Sequence, residues 1–136
     1  MRQMDFKNIK ILIVEDNPIS SFISTNQLKK QGFENIDVVG NGLMALEYLE
    51  ETTPDLIFLD LNMPVIDGFE FLKLQKRKRI CLNTAIVILT SSIWLEDKKR
   101  VIKYSNVIDF LVKPLDGVMI KEVFQKLKIV SRPSTM

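Results

Sequence analysis

Short apolar runs recur along the chain, and between them the apolar residues thin out to helical spacing. Ile9 to Val14 is a β-branched-rich run that stops abruptly at Glu15-Asp16-Asn17-Pro18, the pattern of a buried strand entering a loop. Pro18 suits the first turn of a helix, and the stretch from there to Gln31 ends at Gly32, a natural C-terminal stop. Ile19, Phe22, Ile23 and Leu28 mark its expected inward face. Ile36 to Val39 reads as a second strand, and Asn41-Gly42 then opens a helix on Ala45, Leu46 and Leu49 that ends before Thr53-Pro54. Leu56 to Leu59 is a third strand between Asp55 and Asp60. A helix starting near Gly68 is expected to carry Phe69 and Leu72 inward. Ala85 to Leu89, Leu95 to Tyr104 and Val107 to Val112 read as strand, helix and strand. Ile120, Val123, Phe124 and Leu127 give a last amphipathic helix at i, i+3, i+4, i+7 spacing.

Five apolar strands, each followed by a helix, predict a parallel sheet with helices on both faces, because parallel neighbours need crossovers and the crossovers cover the sheet. The expected architecture is an α/β protein, a three-layer α/β/α sandwich. In such sheets ligands bind at the carboxyl ends of the strands. Residues 9–130 are read as the domain, residues 1–8 as an N-terminal extension and residues 131–136 as a C-terminal tail.

Composition narrows the chemistry. A chain of 136 residues fits one ordinary domain, with no second output domain expected. No apolar run approaches the length of a spanning helix, and residues 1–8 lack the apolar core of a secretory signal, so a cytoplasmic location is expected. The single cysteine, Cys81, excludes an internal disulfide and a multi-cysteine metal site. The chain has no histidine, which excludes His-based acid/base catalysis and His-ligated zinc. A net charge of +2 gives no case for direct DNA binding, although Lys73, Lys76, Arg77, Lys78 and Arg79 form one basic run. A solvated helix end is the preferred reading of that run.

The residues just past the strands are more telling. Glu15 and Asp16 follow the first strand, Asp60 and Asn62 the third, Thr90, Ser91 and Ser92 the fourth, and Lys113-Pro114 the fifth. Each has an ordinary structural explanation alone, since carboxylates cap helices and Lys-Pro makes a turn. Together they put three carboxylates, a hydroxyl and an ammonium on one rim. Crowded carboxylates repel unless a cation is present, and Mg²⁺ suits an all-oxygen set. One carboxylate can then attack phosphorus, with Lys113 and Thr90 suited to hold the transferred oxygens.

These motifs resemble the receiver domains of bacterial two-component response regulators, of the single-domain, chemotaxis-regulator-like kind. The likeness runs from about Lys10 to Leu127 and rests on Glu15-Asp16, on Pro54 to Ile57 leading into Asp60-Leu61-Asn62-Met63-Pro64 and Asp67-Gly68, on Thr90, and on Asp109 to Pro114. The resemblance implies a flavodoxin-like doubly wound sheet with strand order 2-1-3-4-5. It implies Asp60 as phosphoacceptor in a phosphorelay, and Mg²⁺ held by Asp16, Asp60 and the Asn62 carbonyl, with Glu15 acting through water. Lys113 would pair with the phosphoryl group, and the Lys113-Pro114 bond is a candidate cis peptide. Thr90 and Phe110 would form the switch. Implied partners are a histidine kinase or histidine phosphotransfer protein and a downstream protein reading the face of the fourth helix, fifth strand and fifth helix. The family is not one of enzymes, self-dephosphorylation apart. Two alternatives stand beside this: a phosphorylation-independent interaction module, and an aspartyl phosphatase of the haloacid-dehalogenase type. The second wants an acid where this chain has Asn62.

Overall fold

In a computed structural model, which describes residues 8–91 and 94–131, five strands alternate with five helices. The order is β1 (Lys10–Val14), α1 (Pro18–Lys30), β2 (Asn35–Val39), α2 (Gly42–Glu51), β3 (Leu56–Leu59), α3 (Gly68–Lys78), β4 (Ala85–Thr90), α4 (Leu95–Ile102), β5 (Val107–Val112) and α5 (Gly117–Ser131). All strand pairs are parallel and the sheet order is β2-β1-β3-β4-β5, as expected.

Strand residues alternate between the two faces, and the core divides accordingly. Ile11, Ile13, Phe58, Val87 and Leu89 pack with Leu28 of α1 and with Ile120, Val123 and Phe124 of α5. There the Phe33 and Phe124 rings stack with centroids 4.4 Å apart. Leu12, Val14, Ile57, Leu59, Ile86 and Ile88 face the other way, against Leu46, Leu49, Phe71, Leu72 and Val101 from α2, α3 and α4. Only β1, β3 and β4 lie between covered faces. β2 is an edge strand that exposes Asn35, Asp37 and Val38, so its apolar content does not report full burial.

Three helices depart from their sequence reading. α1 buries Ser24 and Leu28, while Ile19 and Phe22 are 71% and 69% exposed and Ile23 also faces solvent. The reason is local: where α1 leaves the sheet rim, its inward side meets the Glu15 carboxylate, and Ser20 Oγ donates to Glu15 Oε1 at 2.9 Å. A polar contact takes the place an apolar face would have filled. α3 turns Phe71, Leu72 and Gln75 inward rather than Phe69, which lies half-buried beneath the Arg100 guanidinium, 3.7 Å from the ring centroid. α4 stops at Ile102, two residues short of Tyr104.

Candidate functional site

Chain continuity through the sheet builds the site. β1 and β3 pair as far as Val14 and Leu59, and the Asp60 amide still donates to the Val14 carbonyl at 3.0 Å. The Glu15 amide donates to the Val39 carbonyl at 2.9 Å. Both carboxylates therefore emerge on the same rim from backbone still held by the ladder. Lys113 arrives from the other side, its amide donating to the Thr90 carbonyl at 2.7 Å, and the Lys113-Pro114 peptide is cis.

Lys113 Nζ makes an ion pair with Glu15 Oε1 and lies 3.0 Å from Asp60 Oδ2. Asp60 Oδ1 accepts from the Asn62 amide at 3.3 Å. Glu15 Oε2 accepts from the Asn17 amide at 3.1 Å. One carboxylate oxygen from each of Glu15, Asp16 and Asp60 falls within 4.8 Å of the others. Glu15 and Asp60 are buried, whereas Asp16 is exposed and has no hydrogen bond or ion pair among the described residues. The cleft is also lined by Asn62, Ser91 and Pro114. Ser92 lies outside the described residues.

Electrostatics separates the two buried acids. Burial pushes the Asp60 carboxyl up and the Glu15 charge adds to it; Lys113 and the Asn62 amide oppose without reversing the direction. For Glu15 burial also acts upward, but Lys113, the Asn17 amide and the Ser20 hydroxyl outweigh it, and the group stays below the usual carboxylate range. Burial pulls Lys113 down, and its two carboxylate partners more than restore it, so it remains an ammonium. Lys113 pairs with both carboxylates, and Asp60 is left the more basic of the two.

Thr90, the last residue of β4, is buried, and its Oγ1 has no hydrogen-bond partner. Leaving such a hydroxyl unsatisfied costs roughly 1–3 kcal/mol. Phe110 on β5 is half-buried against the α2-α3-α4 core. Trp94 is 64% exposed at the start of α4.

Sequence reasoning missed the residues that hold Glu15. Asn17 caps α1, its side chain accepting from the Ile19 and Ser20 amides at 2.9 and 3.0 Å, and Ser20 reaches back to the carboxylate. The signal for the cap was present: Asn immediately before Pro is a helix-start pattern. It also missed a partly buried amide network, in which Gln75 Nε2 donates to the Cys81 carbonyl at 3.2 Å. Asn106 Nδ2 donates both to Gln75 Oε1 at 3.4 Å and to the Thr84 carbonyl at 3.1 Å. This ties α3 to the turn that launches β5.

Known proteins share this fold. A model of the response regulator receiver domain matches residues 11–125. The chain is 38% identical over 113 residues to hybrid signal transduction histidine kinase K of Dictyostelium discoideum, covering 78% of this chain and 9% of that protein. It is 29% identical over 123 residues to chemotaxis protein CheY-3 of Vibrio cholerae, covering 89% of this chain and 92% of that one. The crystal structure of a two-component response regulator from Cytophaga hutchinsonii superposes with a TM-score of 0.82 at 26% identity, over 89% of this chain and 97% of the other. This chain thus spans a small part of a hybrid kinase and nearly all of a chemotaxis regulator. The acidic cluster fits a phosphoacceptor site, and the family is one of signalling proteins rather than enzymes. With fold, rim chemistry and likeness in agreement, the chain belongs to the response regulator receiver domain family.

Proposed function

We propose that Asp60 is the phosphoacceptor of this receiver and that Mg²⁺ is held beside it by Asp16, Asp60 and Asn62, with Glu15 acting on the metal through water. The donor set supports the metal: clustered carboxylates, no sulfur or imidazole, and an exposed Asp16 without a protein partner. When bound, Mg²⁺ would neutralise the cluster and the charge on a phosphoryl group. The observation that carries the reading is the buried Thr90 hydroxyl with no acceptor, at a strand end adjoining β3, in a site that already presents a basic carboxylate and an ammonium. A phosphoryl oxygen would satisfy it.

The step is transfer from a phosphohistidine of a histidine kinase or phosphotransfer protein. An Asp60 oxygen bonds phosphorus, the phosphorus–nitrogen bond breaks, and the imidazole keeps the electron pair and takes a proton. Lys113, 3.0 Å from Asp60 in the resting site, is placed to hold a phosphoryl oxygen. Thr90 turning toward the group would free space for the Phe110 ring, and hydrolysis of the acyl phosphate by water would reset the site. Ile19 and Ile23 line the same cleft, and with Phe22 they give the phosphodonor an apolar rim to dock on. The downstream reader surface is the α4-β5-α5 face; Trp94 at the start of α4, Leu95 and Ile102 within it and Val112 at the end of β5 are exposed. No direct DNA contact is part of this reading. No helix among the described residues is long and apolar enough to cross a membrane, and the lone cysteine agrees with work in the cytoplasm. The phosphatase alternative lacks its acid, since Asn62 stands in that place.

Intact mass after incubation with acetyl phosphate and Mg²⁺ tests the reading. One phosphoryl group should be gained, and both Asp60→Ala and a chelator should abolish the gain. An adduct that persists in Asp60→Ala, or no adduct in the unaltered protein, would overturn it.

A further inference from the structure

The basic run at the end of α3 borders a groove that shares no lining residue with the acidic cleft. Lys73, Lys76, Arg77 and Arg79 form one wall of an open groove of about 480 Å³, and Lys103 and Tyr104, just past α4, form the other. The Tyr104 ring centroid lies 5.8 Å from Lys76 Nζ and 5.5 Å from Lys103 Nζ. Cations at helix C-termini are ordinary, because each helix end carries about half a negative charge. Two helix ends supply about one unit of negative charge, and the groove holds five cations. None of the five pairs with a carboxylate among the described residues, where ion pairs involve only Lys113 and Lys126. All five side chains are exposed. Apart from the Tyr104 ring, which Lys76 and Lys103 approach, the surplus therefore has no counter-charge among the described residues.

We propose that the groove between the C-terminal ends of α3 and α4 docks an acidic segment of a partner protein in extended conformation. Lys73 and Arg77 are one turn apart, about 6 Å along the axis. Same-side residues of an extended strand repeat at about 6.6 Å, so acidic residues at alternate positions match the stripe, with Tyr104 beneath to take an apolar neighbour. Charge distribution decides against a long polyanion. Setting these five cations aside leaves a net −3 on the remainder of the chain, so the positive excess is concentrated in a short groove, which matches a short acidic segment rather than a long polyanion. The proposal is independent of Asp60 chemistry.

Fluorescence anisotropy of a labelled peptide alternating glutamate with apolar residues, titrated with the full chain, tests it. Saturable binding is expected, weakening at least about tenfold as ionic strength rises from about 0.01 to about 0.15 M. The triple variant Lys73→Glu, Lys76→Glu, Arg77→Glu should lose at least about tenfold in affinity. A control with the same change in net charge, Lys29→Glu, Lys30→Glu, Lys121→Glu, should bind as the unaltered protein does. Asp60→Ala should also bind fully, which separates failure here from failure of the phosphoacceptor reading. Circular dichroism confirms that each variant is folded. No binding at low ionic strength, equal loss in both triple variants, or tighter binding of a single-stranded oligonucleotide of equal charge would overturn the proposal.

Discussion

Replacing Lys113 by methionine removes the one cation that contacts both Glu15 and Asp60 among the described residues, with little loss of side-chain volume. At 3.0 Å and an effective dielectric constant of about 20, its attraction to Asp60 alone is about 5.5 kcal/mol before desolvation. Without it, two buried carboxylates face each other within 4.8 Å, where the same dielectric constant gives a repulsion of about 3.5 kcal/mol. Neutralisation limits the damage, because one carboxylate can take up a proton. The realised cost at pH 7 is then expected to be about 3 kcal/mol, a fall in Tm of roughly 10 °C. The sign of the pH dependence follows. In the variant Asp60 loses the cation that opposes its upward shift and Glu15 the largest of the contacts that hold it down, so the folded state takes up protons more readily than the unaltered protein and stability recovers as pH falls from about 7 toward 5. In the unaltered protein the raised Asp60 acts in the same sense but more weakly, with Lys113 opposing it, whereas the depressed Glu15 acts oppositely, its contribution present above its unfolded pKa and lost as pH falls through the folded one. The gap between the two proteins must therefore narrow on acidification. Urea melts in chelator at about pH 7 and pH 5 measure this. Added Mg²⁺ at about a hundred times its Kd should return about 2.7 kcal/mol to the variant. A loss below about 1 kcal/mol at pH 7, or one independent of pH, would refute the electrostatic account.

Gly68 lies where an added Cβ would fall 2.5 Å from the Asp60 carbonyl oxygen and 2.7 Å from the Leu61 Cα. Gly68→Ala should destabilise by about 1–3 kcal/mol in chemical denaturation and slow phosphorylation by acetyl phosphate, because the loop bearing Asp60 must shift. Val65 holds φ at 68° with its side chain 74% exposed, a left-handed conformation that a β-branched residue adopts at a cost of about 1–2 kcal/mol. Val65→Asn should raise Tm by a few degrees, and an unchanged or lower Tm would show that the strain is offset elsewhere. Asn17→Ala removes two bonds to the first turn of α1 and should cost about 1 kcal/mol, read as a lower denaturant midpoint.

The sequence by itself determined the element order, the parallel sheet and the rim set of Glu15, Asp16, Asp60, Asn62, Thr90 and Lys113. Those features live in local periodicity and in which residues follow each strand, and parallel strands put their carboxyl ends on one edge. Tertiary structure alone decided facing and pairing. Composition could not tell that Phe71 rather than Phe69 would enter the core, because helix phase depends on what the sheet offers opposite. Nor could it tell that Ile19 and Phe22 would face solvent while Ser20 turned to Glu15, since that exchange depends on a carboxylate brought there by another element. The contrast between a basic Asp60 and an acidic Glu15 arises from burial and from one shared lysine 53 residues along the chain from Asp60. The α3-α4 groove likewise exists only because two helix ends, separated by a buried strand, are packed side by side. Distances between side chains far apart in sequence carry these properties, and no local pattern encodes a distance.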